Sequence, residues 1–183
     1  MQRKLEILVR EIQEKNEVLN FISESDALTG CMNRRGFIEK TLQMNRDHEG
    51  EELLILFADL DHLKEINDSF GHIEGDFSIR HCAEVLKKVV GADGIVGRIG
   101  GDEFCVVTLG NLKDGQQIIE RIREESDAFN CTSDKEYYVE LSAGCTSVIC
   151  RNGLVIADAL READRALYEV KKLRRNSVKK IRL

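Results

Sequence analysis

Residues 94–109 read GIVGRIGGDEFCVVTL, and this stretch decides the fold. Two runs rich in Val, Ile and Phe flank a pair of glycines, Gly100 and Gly101, which is the pattern of a β-hairpin. Asp102 and Glu103 follow the glycines directly. The sequence therefore predicts two antiparallel strands joined by a turn that carries two carboxylates.

The other elements follow from the hydrophobic pattern on either side of this hairpin. Residues 53–58 (LLILFA) form a short continuous apolar run flanked by charge, which is typical of a buried strand. A strand-like run also covers 137–149. Apolar residues at three- and four-residue spacing predict the helices, which cover 34–45, 63–70, 76–90, 115–129 and 155–175.

From residue 53 onward the order of elements is β-α-α-β-β-α-β-α. Apart from the doubled first helix and the last helix, this is the β-α-β-β-α-β order of ferredoxin-like folds. The predicted fold class is therefore α+β, with a mostly antiparallel sheet flanked by helices. Because crossovers are right-handed, the first two strands run the same way. The strand end at 59–61 should then meet the turn at 100–103.

A separate amphipathic segment, 1–24, precedes this domain. With Lys15 in the one polar slot, its stripe recurs at alternating three- and four-residue steps, about three heptads in all; the apolar members are Leu5, Leu8, Ile12, Leu19 and Ile22. The stripe predicts an extended helix that either pairs with a second copy of the chain or packs back on its own domain. The remaining domain is 25–183.

Composition disfavours several classes of protein. The 183 residues include 27 basic and 33 acidic side chains, a net charge of −6, which disfavours non-specific binding of nucleic acid. No stretch approaches the roughly 20 apolar residues of a membrane span, and the charged start is unlike a signal peptide. Six cysteines without a C-x-x-C pair favour reduced thiols. We expect a cytoplasmic chain with neither nucleic-acid nor membrane contacts, whether or not a longer parent protein is membrane-tethered.

Carboxylates at the two strand ends indicate a metal site. Asp59 and Asp61 follow the buried strand, and Asp102 and Glu103 follow the glycine turn. Converging carboxylates are costly unless a cation lies between them, and such oxygen ligands suit Mg²⁺ or Mn²⁺. For a single acidic pair, the alternative is a solvated turn.

The two glycines of the turn have two compatible interpretations. A tight hairpin needs residues with positive φ, which glycine adopts without strain. A backbone without side chains also allows a bulky ligand to approach closely. We expect both at Gly100 and Gly101.

The segment 67–76 (NDSFGHIEGD) carries groups that suit the edge of a guanine base. An Asn amide offers a donor and an acceptor, and a carboxylate accepts from the adjacent N–H groups of guanine. The structural alternative places Asn67 or Asp68 at a helix C-terminus and Asp76 at a helix N-cap.

Basic residues near the end of the last helix have two interpretations as well: Lys171, Lys172, Arg174 and Arg175. They could clamp a triphosphate. Alternatively, they are favourable charges at a helix C-terminus.

Four ordered motifs over about residues 26–178 resemble the GGDEF family of diguanylate cyclases. The first, at 26–35, follows D-x-L-T-G-L-x-N-R-R with Cys31 in place of Leu. The second, at 59–76, follows D-x-D-x-F-K-x-I-N-D-x-x-G-H-x-x-G-D with Leu63 in place of Phe. The signature itself lies at 98–104. The closing motif at 163–176 has Arg174 where Gly is usual.

The resemblance implies a palm-type nucleotidyl cyclase fold and the condensation of two GTP into cyclic di-GMP by a dimer, with 25–183 as the catalytic domain. It implies Mg²⁺ (or Mn²⁺) bound by Asp59, the Leu60 carbonyl and Asp102, with Glu103 beside them. Asp102 matches the proton acceptor, and Glu103 is the second catalytic candidate. The implied substrate contacts are Asn67 and Asp76 to guanine, His72 lining the site, Lys64, Lys171 and Arg175 to phosphates, and Gly100 and Gly101 in the turn.

Two alternatives to this activity leave marks in a sequence. A non-catalytic GGDEF-type module that binds GTP or partners usually lacks signature carboxylates, whereas this chain retains them. An enzyme with altered base choice is expected to lack the acid at position 76, and Asp76 is present.

A further departure from the family pattern concerns feedback inhibition, because Gly91 and Gly94 stand where many members have the Arg and Asp of an R-x-x-D product site. The sequence therefore predicts that this inhibitory site is missing.

Overall fold

The computed structural model describes residues 23–181. The elements within this range are α1 (Arg34–Asp47), β1 (Glu52–Leu60), α2 (Leu63–Phe70), α3 (His72–Val90), β2 (Ile95–Arg98), β3 (Glu103–Leu109), α4 (Leu112–Thr132), β4 (Leu141–Ile149) and α5 (Ile156–Ile181). The apolar stripe predicted for 1–24 lies outside the described residues, so its helix and its pairing stay predictions.

The four strands form one sheet in the order β2-β3-β1-β4, and every neighbouring pair is antiparallel. Both β1 and β2 are antiparallel to β3, so they run in the same direction, as right-handed crossovers predict. This order confirms the predicted α+β, ferredoxin-like arrangement. The central position of β1 explains its continuous apolar run, because helices cover both of its faces.

Alternate residues of β1 enter two cores on opposite faces of the sheet. Leu54, Leu56 and Ala58 pack with residues of α3 and α4. Leu53 and Ile55 pack with residues of α1 and α5. By this alternation, Asp59 continues the series that faces α1 and α5.

A glycine sets the approach of α5 to the sheet. A Cβ atom at Gly144 of β4 would lie 2.1 Å from the backbone nitrogen of Leu167. Helix and strand are therefore in direct backbone contact there. This close approach brings Lys171, one turn beyond Leu167, to the end of β1.

The structure corrects the predicted start of α3. The helix begins at His72 rather than at 76, because Gly71 (φ 88°) turns the chain and both ends α2 and precedes α3. Asp76 consequently lies inside α3, so its interpretation as an N-cap is wrong. Asn67 lies inside α2, whose C-cap is Gly71, so the C-terminal interpretation of Asn67 is wrong as well.

The last strand and the last helix also differ from their predicted bounds. β4 begins at Leu141 rather than 137, since Tyr137 and Val139 bond to the side chains of Glu74 and Asn130 rather than to the sheet ladder. α5 runs to Ile181, so Lys171 lies within the helix, and the interpretation of this residue as a C-terminal charge is wrong. Among residues 23–181, no helix combines the length and apolar character that a membrane crossing requires.

Candidate active site

The end of β1 and the hairpin turn meet in the sheet. Asp59 is paired with Glu103 in the β1–β3 register. The next residue along, Leu60, donates its backbone N–H to the carbonyl oxygen of Asp102 at 3.1 Å. The carboxylates of two separate motifs therefore lie at one edge of the sheet, as the topology predicts.

A lysine from α5 lies against this acidic edge. The Lys171 ammonium donates to the carboxylate of Asp59 and lies 3.4 Å from Oδ1 of Asp61. The Ser142 hydroxyl donates to Oδ2 of Asp61 at 2.6 Å. The side chains of the ion-paired residues are at most 25% exposed. A cation thus lies between two of the predicted carboxylates, which offsets the cost of gathering them.

The charge of the cluster perturbs its own members. Burial raises the pKa of Asp59, and Asp102 and Asp61 raise it further, while Lys171 opposes the change. Burial also raises the pKa of Glu103, with Asp102 and Asp59 adding to the effect. These carboxylates are therefore close enough to repel one another, and an additional cation would relieve that repulsion.

The donor set fits a hard divalent cation that takes part of its coordination from a ligand. In the described part of the chain, no three Asp, Glu, His or Cys side chains are arranged to hold a metal ion by themselves. Asp59 and Asp102 offer carboxylate oxygens, and Leu60, whose N–H bonds to the Asp102 carbonyl, has a backbone carbonyl as a third oxygen. Mg²⁺ commonly uses one or two carboxylates and completes its shell with waters and substrate phosphates.

The glycine turn differs from its predicted geometry. Neither Gly100 nor Gly101 has a positive φ, so that expectation is wrong. The connection between β2 and β3 spans four residues, and turns of this length form with negative φ. The turn is closed by the N–H groups of Ile99 and Gly100, which donate to the Glu103 carbonyl at 2.9 and 3.4 Å.

The space around the two glycines separates their roles. A Cβ atom at Gly101 would have no neighbour within 4 Å, so the backbone is open to a ligand at that point. A Cβ atom at Gly100 would lie 2.6 Å from Oε2 of Glu103. Gly100 therefore makes room for the Glu103 carboxylate, which the sequence pattern did not indicate.

Arg98 anchors the turn through its guanidinium, a role that sequence reasoning missed. Its guanidinium donates to the carbonyl of Gly101 at 2.7 and 3.2 Å. It also bonds both carboxylate oxygens of Asp26, at 3.2 and 3.3 Å. Burial acts to raise the pKa of Asp26, but hydrogen bonds from Thr29 and Arg98 outweigh it and hold this pKa below its ordinary value. The pair is 72 residues apart, so no local spacing reveals it.

The predicted base-reading residues lie at the junction of α2 and α3. A Cβ atom at Gly75 would lie 2.0 Å from Oδ1 of Asn67, so the Asn67 carboxamide rests on the first turns of α3. Asp76 follows Gly75 and is exposed, as is His72 at the start of the helix. The structure therefore brings Asn67 close to the turn that carries Asp76.

The predicted phosphate ligands do not all converge. Lys64 is exposed on α2, and Lys171 lies on the acidic edge. Lys172 points away and pairs with Glu169 at 3.9 Å on the outer face of α5. The side chain of Arg175 lies outside the described part of the structure.

Gly91 and Gly94, which stand where an R-x-x-D product site would have Arg and Asp, both have structural roles. Gly91 ends α3 with φ 78°, a conformation that other residues rarely adopt. A Cβ atom at Gly94 would lie 1.9 Å from Cγ1 of Val90. Both positions are therefore used structurally as glycines.

Comparisons with known proteins show which family this chain resembles. A family model described as "Diguanylate cyclase, GGDEF domain" matches residues 23–177. Diguanylate cyclase DgcP of Escherichia coli is 38% identical over 91% of this chain and 50% of its own length. The chain spans 23% to 50% of the length of such curated relatives.

Solved structures give the same relationship. The coiled coil and GGDEF domain of DgcB from Caulobacter crescentus, solved with c-di-GMP, has a TM-score of 0.80 and 25% identity over 93% of this chain and 92% of that one. The diguanylate cyclase SiaD from Pseudomonas aeruginosa, solved with its activator SiaC, has a TM-score of 0.75 and 27% identity, over 93% and 69% of the two chains.

Proposed function

The chain belongs to the GGDEF family of diguanylate cyclases, and we propose that it condenses two GTP into cyclic di-GMP with release of two pyrophosphates. The observation that carries the proposal is the pairing of Asp59 with Glu103, which places the carboxylates of two motifs at one sheet edge. Family members are nucleotide cyclases that generally use a divalent metal.

We assign the metal site to Asp59, the Leu60 carbonyl and Asp102, with Glu103 beside them. Bound there, Mg²⁺ or Mn²⁺ would polarise the α-phosphate and neutralise the leaving pyrophosphate. Lys171 lies at the same edge and supplies a further positive charge for the phosphates. Lys64 and Arg175 are the other proposed phosphate ligands.

The attacking 3′-hydroxyl must lose a proton as it bonds to the α-phosphorus of the second GTP. We assign this proton to Asp102, with Glu103 as the neighbouring carboxylate. Burial and the adjacent acids raise the pKa of Glu103, which favours Glu103 as the second candidate to accept the proton.

Guanine is proposed to bind at the α2–α3 junction. Asp76 accepts from the N1–H and the 2-amino group of the base, and Asn67 supplies an amide donor and acceptor. His72 lines the same side. Adenine lacks the donor pair that Asp76 requires, so ATP would leave the carboxylate unpaired.

Cyclisation requires two nucleotides in antiparallel orientation, each with its 3′-hydroxyl facing the other α-phosphate. One domain offers one such site, so two copies must face each other. We propose that the stripe in 1–24 joins the copies as a homodimer and raises the effective concentration of the two sites.

The test is product identification by chromatography after the full chain is incubated with GTP and Mg²⁺, beside the Asp102→Asn variant. Cyclic di-GMP and pyrophosphate from the unmodified chain alone would support the proposal. GTP binding without any product, at concentrations that give a dimer, would overturn it in favour of a regulatory module.

A further inference from the structure

The segment 133–140, hereafter the strap, crosses from α4 to β4 and is fixed at its C-terminal end. Asn130 of α4 donates to the carbonyl of Val139 at 3.1 Å and accepts from its N–H at 2.9 Å. The carbonyl of Glu140 accepts from the N–H of Asp61 at 2.9 Å. Val139 itself is buried. The strap is therefore held by α4 and by the end of β1.

The middle of the strap reaches a carboxylate in the first turn of α3. Lys135 donates to Oε2 of Glu74 at 2.7 Å, and the Tyr137 hydroxyl donates to the same oxygen. The hydrogen bond from Lys135, with that from Tyr137 adding to it, lowers the pKa of Glu74. Burial, together with this bond to Glu74, raises the pKa of Tyr137 to about 12. Glu74 is therefore a charged acceptor shared by two strap residues.

The same two strap residues contact aromatic rings on both helices of the junction. The ring of Tyr137 lies 5.0 Å, centroid to centroid, from that of Phe70, the last residue of α2. The ammonium of Lys135 lies 4.3 Å from the ring centroid of Phe77 on α3. The strap thus contacts α2 through Tyr137 and α3 through both Lys135 and Tyr137.

The connection between α2 and α3 is a single glycine. Gly71 has φ 88° and carries no side chain that could fix the angle between the helices. Asn67 lies one turn before Gly71, and Asp76 lies just over one turn after it. The Asn67 carboxamide packs directly against Gly75, and the strap adds contacts outside this packing that hold the same angle between the helices.

We propose that Glu74, with Lys135 and Tyr137 as its partners, is a positioning residue that aligns Asn67 and Asp76 on one guanine. The inference rests on the proposed function, in which those two residues read the base. Glu74 acts through them and touches neither the metal edge nor the reacting atoms. Its removal should raise KM for GTP far more than it lowers kcat.

The test compares Glu74→Ala, Glu74→Gln and Tyr137→Phe by initial rates against GTP and by thermal unfolding. Glu74→Ala loses both strap bonds, and we expect KM to rise on the order of tenfold with kcat within about twofold. Gln keeps an acceptor for Tyr137, so Glu74→Gln should be intermediate. Tyr137→Phe should resemble the Gln variant.

A matched control exists at the far end of α3. Lys88 pairs with Glu125 of α4 at 2.6 Å, so Glu125→Gln also breaks an ion pair between α3 and a neighbouring element. We expect its KM to equal that of the unmodified chain. An equal rise in KM for Glu125→Gln and Glu74→Ala, or a loss confined to kcat in Glu74→Ala, would overturn the positioning role.

An Asp76→Ala variant separates this inference from the proposed function. If Asp76→Ala binds GTP as tightly as the unmodified chain, guanine is not read at the junction and both ideas fail. If Asp76→Ala weakens GTP binding while Glu74→Ala leaves KM unchanged, only the strap's role is refuted.

Discussion

The acidic edge and the α2–α3 junction are built in opposite ways. The edge is set by the hydrogen-bond ladder that joins β1 to β3 and β4 and pairs Asp59 with Glu103. The junction turns on Gly71 and is supported by side chains of the strap. Groups placed by a ladder tolerate little movement, whereas groups placed by side chains can be moved by one substitution. We therefore assign catalysis to the acidic edge and guanine recognition to the α2–α3 junction.

The largest expected effect is at the acidic edge. Asp59→Asn should reduce turnover by about 10²–10³-fold or more, because it removes the charge of a proposed metal ligand. Initial rates with GTP and Mg²⁺, together with circular dichroism to verify the fold, make the measurement. Rates like those of the unmodified chain in a folded variant would show that the edge is not the metal site.

The next effect concerns base choice at the junction. We expect GTP to be preferred over ATP by on the order of 10²-fold or more in kcat/KM, because ATP leaves Asp76 unpaired. Competition between the two nucleotides in one assay measures the ratio. Comparable turnover of ATP would contradict the assignment of Asn67 and Asp76 as guanine-binding residues.

A single added methyl group should disturb the junction without touching the edge. Gly75→Ala places a Cβ atom against Oδ1 of Asn67 and should raise KM for GTP about tenfold. Ile73→Ala is the control, since Ile73 lies in the same turn and is 81% exposed. A rise of equal size in both variants would mean that the turn, rather than Asn67, is sensitive.

A smaller effect, on stability, is expected from the Asp26–Arg98 ion pair that holds the turn. Asp26→Asn should lower the free energy of unfolding at pH 7 by about 1–3 kcal/mol, since it removes charged hydrogen bonds that are largely shielded from water. Because the folded-state pKa of Asp26 is lowered, its contribution is present above the ordinary Asp value and is lost as pH falls through the folded value. The difference in free energy of unfolding between Asp26→Asn and the unmodified chain should therefore become smaller as pH falls below about 4.

Asp127→Asn provides the comparison for that measurement. Its partner Arg123 lies 3.9 Å away, and both side chains are more than 60% exposed. Such exposed pairs contribute little. Urea unfolding at several pH values should show a larger loss of unfolding free energy for Asp26→Asn than for Asp127→Asn at pH 7. Equal losses would contradict the role given to Asp26.

The smallest expected effect is product inhibition. With glycine at 91 and 94, added cyclic di-GMP should inhibit weakly and only in competition with GTP. Initial rates at several GTP concentrations test this. A tight, noncompetitive pattern would reveal a product site elsewhere on the chain.

The sequence predicts the edge better than the junction, for physical reasons. The apolar run of β1 and the hairpin around Gly100 have patterns that few other structures share, and strand order then brings their ends together. The helix predicted at 63–70 also has the bounds observed for α2. Each of these features depends on local periodicity and on topology.

Other features depend on contacts that local patterns do not encode. The part of the strap from 137 to 140 resembles a strand in sequence, but Lys135 and Tyr137 bond to Glu74 from 61 and 63 residues away. Arg98 and Asp26 meet in the same long-range manner. α3 starts earlier than predicted because Gly71 is both the C-cap of α2 and the N-cap of α3. Residues 71–75 contain few apolar residues, so the hydrophobic pattern did not indicate this start.

The division between chemistry and recognition is tested most directly by measuring GTP binding and product formation on the same two variants. Asp102→Asn should bind GTP within about threefold of the unmodified chain and form no detectable cyclic di-GMP. Gly75→Ala should bind GTP about tenfold more weakly and still form product at saturating GTP. Product from Asp102→Asn, or none from Gly75→Ala at saturation, would contradict the assignment of the two regions.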